Sequence, residues 1–189
     1  MTSSEEIIVV SGLPRSGTSL MMQMLQGGGI EVVTDRLREA DTDNPHGYLE
    51  YEAVKDLDQD ASWLPTIRGK AVKIVSMLLY KLPPTERYRI LFMERDIEEV
   101  LNSQEAMLKR LGRVSAPRDK MAEAFRIHLE NLEEWLKDRP DMALLRVKYR
   151  DLVQQPETEA NRVTEFLGRV LDVDQMVNSV DPNLYRNRS

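Results

Sequence analysis

The chain has 189 residues, a length that fits one globular domain with a substantial core. Hydrophobic residues make up 41% and charged residues 31%, which is typical of a folded protein and excludes a disordered one. The formal net charge of −6 argues against a nucleic-acid partner, because such proteins normally carry a basic face. Without cysteine the chain has no disulfide or thiolate metal site, and a reducing compartment is favoured.

The sequence also indicates where the protein is found and how it is divided. No apolar run approaches the roughly 18–20 residues that a membrane span needs. The opening "MTSSEE" is polar and acidic, unlike a secretory signal. No repeat, low-complexity tract or strong linker interrupts the chain. We therefore predict a cytoplasmic protein with a single domain over residues 1–189, and the sequence leaves its oligomeric state open.

Strand and helix patterns alternate along the chain. In chain order, the apolar and β-branched segments predict a strand, a helix and a second strand, followed after a polar stretch by a helix, two strands, two helices, a fifth strand and two helices. The segments are Ile7–Ser11, Thr18–Gln26, Ile30–Val33, Tyr48–Gln59, Ala71–Val75, Ile90–Glu94, Ile97–Leu111, Met121–Leu136, Ala143–Val147, Pro156–Gly168 and Val173–Val180. This alternation predicts an α/β fold of the phosphate-loop type, with a parallel sheet of about five strands and helices on both faces. Ligands of such folds bind at the carboxyl ends of the strands.

The segment "IIVVSGLPRSGTSLMMQML" has the layout of a phosphate-binding loop between a strand and a helix. Gly12 and Gly17 have the spacing of the nucleotide-binding motif G-x-x-x-x-G-K-[ST], but Thr18 stands where the lysine belongs and Arg15 lies inside the loop. The backbone amides and Arg15 favour an anion, and the missing lysine argues against ATP with Mg²⁺. The alternative is a simple strand-to-helix turn with Ser/Thr capping.

A second cationic position follows the predicted strand Ile90–Glu94. Arg95 comes directly after it, and Ser103 follows eight residues later on the next helix in "RDIEEVLNS". Arg95 should lie at the same edge of the sheet as the loop, where it would bind a second phosphate. The alternative is a surface arginine that pairs with Asp96 or Glu98.

Together these motifs resemble those of sulfotransferases. "LPRSGTSL" is similar to the 5′-phosphosulfate loop of that family and is closest to the P-R-S-G-T-T form of the protein-tyrosine type. "RDIEEVLNS" resembles the family's 3′-phosphate motif, and "VKYRDLVQQPETEANRVTEFLG" resembles a later segment with Y-E-D-L and a helix ending in F-L-G. The three motifs occur in the family's order from Val9 to Gly168.

The resemblance implies a donor, 3′-phosphoadenosine 5′-phosphosulfate (PAPS), with adenosine 3′,5′-bisphosphate as the product and no metal. It also implies roles for eight residues. The 5′-phosphosulfate would bind Arg15, Ser16, Gly17, Thr18 and Ser19, the 3′-phosphate would bind Arg95 and Ser103, and the adenine would contact Tyr149. A sulfuryl group carries less negative charge than a terminal phosphoryl group, so fixed donors and cations suffice for its transfer.

The residue that removes the acceptor's proton is less clear from the sequence. Cytosolic sulfotransferases use a histidine two residues after a lysine; here Lys73 matches the lysine, but Val75 replaces the histidine. The protein-tyrosine type uses a glutamate from the region after the first helix. We therefore predict Glu50 as the base, with Asp35, Glu52 and His46 as further candidates. Alternatively, Glu50 is a first-turn helix residue. Lys73 would stabilise charge on the bridging oxygen, or would simply reach solvent.

Other features remain open at this stage. The family's late R-K-G-x-x-G-x-W segment is absent, so either Arg186 or Arg188 would close over the 3′-phosphate or the site would be more open. His128 is interpreted as structural. The acceptor is a small molecule, a peptide or a carbohydrate that offers a hydroxyl or, less favourably, an amine. Two other functions compete: a small kinase in which Glu94 or Asp96 holds Mg²⁺, and a nucleotide-binding module without catalysis.

Overall fold

A parallel sheet of four strands forms the centre of the chain. The computed structural model describes residues 5–35 and 47–181. In these residues the strands are β1 (Ile7–Gly12), β2 (Ala71–Lys73), β3 (Tyr88–Glu94) and β4 (Met142–Lys148), in the order β2-β1-β3-β4. All pairings are parallel, and Val9 of β1 lies opposite Val72 on one side and Ile90 on the other. The predicted α/β class with a parallel sheet is confirmed.

The sheet has one strand fewer than predicted, because Ile30–Val33 does not form one. This segment makes a single bridge between Val32 and Ala71. The Ala71 amide donates to the Glu31 carbonyl at 2.9 Å, and the Val33 amide donates to the Ala71 carbonyl at 2.8 Å. The next residues, Thr34 and Asp35, bond instead to the Glu50 carbonyl, so the pairing with β2 does not extend further.

Six α-helices connect and flank the strands in the described residues: α1 (Thr18–Gly27), α2 (Ile97–Arg110), α3 (Arg118–Lys137), α4 (Tyr149–Gln154), α5 (Pro156–Leu167) and α6 (Val173–Asn178). Asp96 caps α2 by accepting from the amides of Glu98 and Glu99. Gly168, with φ 61°, ends α5 in the left-handed conformation that favours glycine. Short 3₁₀ turns span Glu52–Asp56, Leu64–Ile67 and Ser76–Lys81.

The helix predicted over Tyr48–Gln59 is wrong. Only the turn Glu52–Asp56 within it is helical. The Glu50 carbonyl accepts hydrogen bonds from the Thr34 hydroxyl at 2.9 Å and from the Asp35 amide at 3.3 Å. These bonds tie the segment before the turn to a distant part of the chain, so the Glu50 carbonyl is engaged outside any local helix.

Helices cover both faces of the sheet. Ile8 and Val10 pack with α1, α4, α5 and α6 in one core cluster, whereas Ile7 and Val9 pack with α3 and the 3₁₀ turns in the other. All six residues of β1 are buried, as expected for a central parallel strand. None of the helices in residues 5–35 and 47–181 is long and apolar enough to cross a membrane.

His128 of α3 belongs to this packing. Its Nε2 lies 2.9 Å from the Oγ of buried Ser76, and its ring meets the edge of Tyr80 with 6.0 Å between centroids. Burial lowers the pKa of His128 from its ordinary value. The folded protein therefore resists protonation of this ring more than the unfolded chain does.

We expect the free energy of unfolding to fall as the pH decreases below about 6.5, the ordinary pKa of histidine. In that range the unfolded chain binds a proton that folded His128 resists, so acid favours unfolding. Urea unfolding at pH 7.5 and 5.5 measures the decrease in the free energy of unfolding. The variant His128→Gln should lose less stability over this interval than the wild type, and His46→Gln provides the comparison for the chain's other histidine. An identical pH dependence in His128→Gln and the wild type would contradict the expectation.

Candidate active site

The loop between β1 and α1 requires two glycines. Gly12 has φ 147° and Gly17 has φ 103°, which are unfavourable for other residues. A Cβ at Gly12 would lie 2.6 Å from the Met93 carbonyl oxygen, and one at Gly17 would lie 2.3 Å from the ring of Tyr149. Arg15 also has a positive φ, 69°, in spite of its side chain. Close packing thus holds the loop in a conformation that its sequence alone would not favour.

Two motifs that are 80 residues apart in sequence meet at Arg15. Its Nε donates to the Oγ of Ser103 at 3.0 Å, and its backbone carbonyl accepts from Nη1 of Arg95 at 3.2 Å. Ser103 is buried. The residues predicted for the 5′-phosphosulfate and those predicted for the 3′-phosphate therefore form one continuous cluster.

Arg95 is fixed on two further sides. Its Nε donates to Oε2 of Glu99 at 2.9 Å, and both side chains are less than a tenth exposed. Its guanidinium lies 4.4 Å from the ring centroid of Tyr149, within cation–π range. The alternative of a surface arginine is wrong, because the Arg95 side chain is only 8% exposed and pairs with Glu99.

On the opposite side of the loop, Lys73 and Glu50 form a second cluster. The Lys73 side chain is 6% exposed, so it does not reach into solvent. Its Nζ donates to the Ser19 hydroxyl at 3.2 Å and to the Tyr48 carbonyl, and it lies 3.4 Å from Oε1 of Glu50. The Glu50 side chain is 38% exposed.

The other candidate bases face elsewhere or lie outside the described residues. The Asp35 carboxylate accepts from the Glu52 amide at 2.5 Å, and the Glu52 carboxylate pairs with Lys55 at 2.6 Å. His46, Arg186 and Arg188 fall outside residues 5–35 and 47–181. Within those ranges, Glu50 is the candidate that the structure brings to Lys73.

Tyr48 is a site residue that the sequence reasoning missed. It is buried, it accepts a hydrogen bond from the Arg15 side chain, and its ring centroid lies 5.8 Å from Nζ of Lys73. Tyr48 therefore connects the cation of the loop with the cation of β2. The sequence offered one signal for Tyr48, namely its position two residues before Glu50 on the polar segment after α1.

The electrostatics of the loop favour an anion. Burial lowers the pKa of Arg15 from its ordinary value; Arg95 and Arg110 lower it further, whereas Tyr48 raises it. Guanidinium groups nevertheless stay protonated at neutral pH. Several cations are thus held close together at the N-terminus of α1, where the helix dipole is also positive.

Ser16 has an unsatisfied hydroxyl at the same place. Its Oγ is buried and has no hydrogen-bond partner. An unpaired buried hydroxyl costs about 1–3 kcal/mol, so its presence needs an explanation. An anion oxygen bound in the loop would accept this hydrogen bond. The loop therefore fits a phosphate or sulfate group by its cations, its glycines and this hydroxyl.

The chain can now be compared with known proteins. The model of the sulfotransferase domain matches residues 5–187. The chain belongs to the sulfotransferase family. No curated relative matches it by sequence.

Solved sulfotransferase structures share the fold at low identity. The sulfotransferase domain of the Synechococcus PCC 7002 olefin synthase has a TM-score of 0.59 at 15% identity, over 97% of this chain and 88% of that one. Sulfotransferase STF9 of Mycobacterium avium has a TM-score of 0.56 at 13% identity, over 94% of this chain and 68% of that one. Mouse sulfotransferase SULT7A1, complexed with PAP, has a TM-score of 0.51 at 13% identity, over 96% of this chain and 64% of that one. This protein is a sulfotransferase, an enzyme of a PAPS-dependent family.

We expect Gly17→Ala to destabilise the sulfotransferase more than Gly29→Ala. Both glycines have positive φ, but a Cβ at Gly29 would meet nothing within 4 Å. Gly29→Ala should thus cost only backbone strain, about 1–2 kcal/mol. Gly17→Ala adds the overlap with Tyr149, and such overpacking costs roughly 1–3 kcal/mol more. Urea unfolding of both variants measures the difference, and equal losses would show that Tyr149 moves aside freely.

Proposed function

We propose that this sulfotransferase transfers a sulfuryl group from PAPS to a hydroxyl, or less favourably an amine, with Glu50 as the general base. The acceptor is a small molecule, a peptide or a carbohydrate. The observation that carries the proposal is the contact of Arg15 with both Ser103 and Arg95, which joins two anion-binding positions in one cluster. A donor with a 5′-phosphosulfate and a 3′-phosphate has two anionic groups for such a cluster.

The residues around the loop fit this donor. Arg15, the amides from Ser16 to Ser19 and the unpaired Ser16 hydroxyl would hold the 5′-phosphosulfate. Arg95 and Ser103 would hold the 3′-phosphate. Tyr149 packs against Gly17 and Arg95, so it supports both positions in addition to the adenine contact that the family resemblance implies.

When bound, PAPS supplies a sulfuryl group linked through a bridging oxygen to a phosphate leaving group. As the acceptor oxygen bonds to sulfur, the bond from sulfur to the bridging oxygen breaks, and negative charge develops on that oxygen. Arg15 and Lys73 lie on the two sides of Tyr48 and would stabilise this charge without having to reorganise. The buried position of Lys73 strengthens its effect, since little water screens it.

Glu50 would accept the proton that the acceptor hydroxyl loses. Lys73 holds its carboxylate near the start of α1, and its partial exposure leaves a side open to an incoming hydroxyl. A general base must lie within hydrogen-bond reach of the proton it removes, and Glu50 is the carboxylate placed beside the lysine that faces the loop.

The kinase alternative has less support. Glu94, one predicted Mg²⁺ ligand, pairs with Arg146 at 2.8 Å, and Asp96, the other, caps α2. Both carboxylates therefore already have partners within the protein. The module without catalysis is tested by the Glu50 variants below.

Donor binding provides the first test of this function. We expect adenosine 3′,5′-bisphosphate to bind without Mg²⁺ and more tightly than AMP, because AMP lacks the 3′-phosphate. Arg95→Ala should remove most of this preference, since a charge-assisted contact contributes about 1.5–3 kcal/mol. Calorimetry with the bisphosphate, AMP and ATP–Mg²⁺ measures the three affinities in the wild type and the variant.

The matched control for Arg95→Ala is Arg118→Ala, which removes a guanidinium paired with Glu98 on the surface. The Arg118→Ala variant should prefer the bisphosphate over AMP as strongly as the wild type does. Equal binding of AMP and the bisphosphate to the wild type would refute the donor assignment.

Glu50→Gln should lower turnover roughly 10²–10⁴-fold, because it keeps the shape of the side chain and removes the basic group. Affinity for the bisphosphate should change little. A coupled assay of sulfuryl transfer, together with calorimetry, separates the two effects.

Asp35→Asn, Glu52→Gln and His46→Ala complete this series. Asp35→Asn should mainly lower stability, because the Asp35 carboxylate holds the Glu52 amide. Normal turnover in Glu50→Gln with a collapse in another variant would reassign the base. Normal turnover in all four variants, Glu50→Gln included, would place the base outside this region of the chain.

A further inference from the structure

One face of α2 extends from the proposed donor site to the end of the helix. Ser103, in the middle of α2, accepts the hydrogen bond from Nε of Arg15 at 3.0 Å. Met107 and Arg110 follow Ser103 after four and seven residues, and positions with this spacing share one face of an α-helix. The helix stays regular to its end, where the Leu111 amide donates to the Met107 carbonyl at 3.1 Å. Arg110 therefore lies on the same face as the serine that contacts Arg15.

Arg95 and Arg110 stand at opposite ends of this helix. Arg95 comes just before the capping residue of α2, whereas Arg110 is the last residue of the helix. Seven residues of α-helix span about 10 Å, so the backbone of Arg110 lies well beyond Ser103. Helical side chains lean toward the N-terminus, which directs the side chain of Arg110 back toward Ser103 and Arg15. Arg15 thus lies between a guanidinium at the start of α2 and another at its end.

The charge interactions agree with this placement. Burial lowers the pKa of Arg15, and the charges of Arg95 and Arg110 lower it further. Burial raises the pKa of Tyr149, and the charges that act on Tyr149 are those of Arg95, Glu99 and Arg15. Arg110 therefore acts on Arg15 from the side away from Tyr149, the residue that the family resemblance places at the adenine.

A basic residue in the last turn of a helix also has an ordinary explanation, because it stabilises the negative end of the helix dipole. Lys109 shares this turn with Arg110. Consecutive residues are about 100° apart around an α-helix, so Lys109 points to a different face. The two residues have the same relation to the dipole, and only Arg110 shares the face of Ser103. A comparison of the two separates an effect of the dipole from a role at the site.

The surroundings of Arg110 combine charge with apolar surface. Met107 is half-buried on the shared face, and Leu111, four residues further on, is 58% exposed. Apolar side chains with a few charged groups are typical of sites for small molecules. The two anionic groups of the proposed donor are already assigned to the Arg15 loop and to Arg95 with Ser103. Arg110 is thus a cation beyond those that the donor requires.

We propose that Arg110 binds the anionic group of the acceptor, which is a small hydroxyl compound with an apolar body and a carboxylate. A guanidinium matches a carboxylate with two parallel hydrogen bonds. The apolar body would lie along Met107 and Leu111, and the hydroxyl would reach the sulfuryl group beside Arg15. This inference rests on the proposed function, because it concerns the acceptor of the same reaction.

Three phenols that differ in one substituent are the probes: 4-hydroxyphenylacetate carries a carboxylate, 4-ethylphenol is uncharged and tyramine carries an ammonium group. Each is titrated into the intact protein saturated with adenosine 3′,5′-bisphosphate, and ¹³C-labelled methionine methyl groups report affinity and position. 4-Hydroxyphenylacetate should shift the Met107 methyl signal and bind roughly tenfold more tightly, or more, than the other two, as one charge-assisted contact implies. Arg110→Gln should abolish this preference, and Arg110→Glu should reverse it in favour of tyramine.

Lys109→Gln is the matched control, because Lys109 is an exposed basic residue of the same turn. It should keep the preference of the wild type. Affinity for the bisphosphate should change little in every variant; a large loss in Arg110→Gln would assign Arg110 to the donor instead.

Two kinds of failure are distinguishable. An absent Met107 shift, equal binding of the three phenols, or an unchanged preference in Arg110→Gln, with the bisphosphate bound, would overturn this inference alone. Failure of the bisphosphate to bind the wild type would refute the proposed function and this inference with it.

Discussion

The hydrogen bond from Arg95 to the Arg15 carbonyl is the contact on which the geometry of this site depends. It holds the loop at the one residue other than glycine whose backbone there is left-handed. Arg95 is in turn fixed by Glu99, and the pair is buried. Removing one member of such a pair typically costs about 3–5 kcal/mol, because the other charge is left buried without compensation. The loop, β3 and α2 are therefore coupled, and the site proposed for the donor is preorganised by contacts within the protein.

The distribution of charge shows how an acidic protein can offer a cationic site to the strongly anionic donor that is proposed for it. The net charge of −6 is spread over the whole chain, whereas Arg15, Arg95 and Lys73 meet at the carboxyl edge of the sheet. Electrostatic interactions decay within about 10 Å in salt, so this local cluster governs an anion at the loop more than the distant carboxylates do. Tyr48 contacts two of these cations, Arg15 through a hydrogen bond and Lys73 across its ring.

Patterns along the chain predicted the class of fold, the loop and its second motif, because these depend on local residue types and fixed spacing. The buried strands around Val9 and Ile90 have continuous apolar runs, and Gly12 and Gly17 have a required spacing. Other features depend on tertiary contacts that leave no local pattern. Pairing with Ala71 reduced Ile30–Val33 to a bridge, and hydrogen bonds to the Glu50 carbonyl prevented a helix at Tyr48. The pairing of Arg95 with Glu99 is different, because the two residues are four apart in sequence and this spacing was available to the sequence analysis.

The bridge at Val32 has a consequence for how the molecule behaves among its neighbours. An open sheet ends in strands whose outward amides and carbonyls can pair with another chain, which favours aggregation. On the β2 side, the outward amide and carbonyl of Ala71 are both occupied, by Glu31 and Val33. The two-bond contact that is too short to form a strand thus occupies the outward backbone groups of Ala71, so a second chain cannot pair with β2 at this residue.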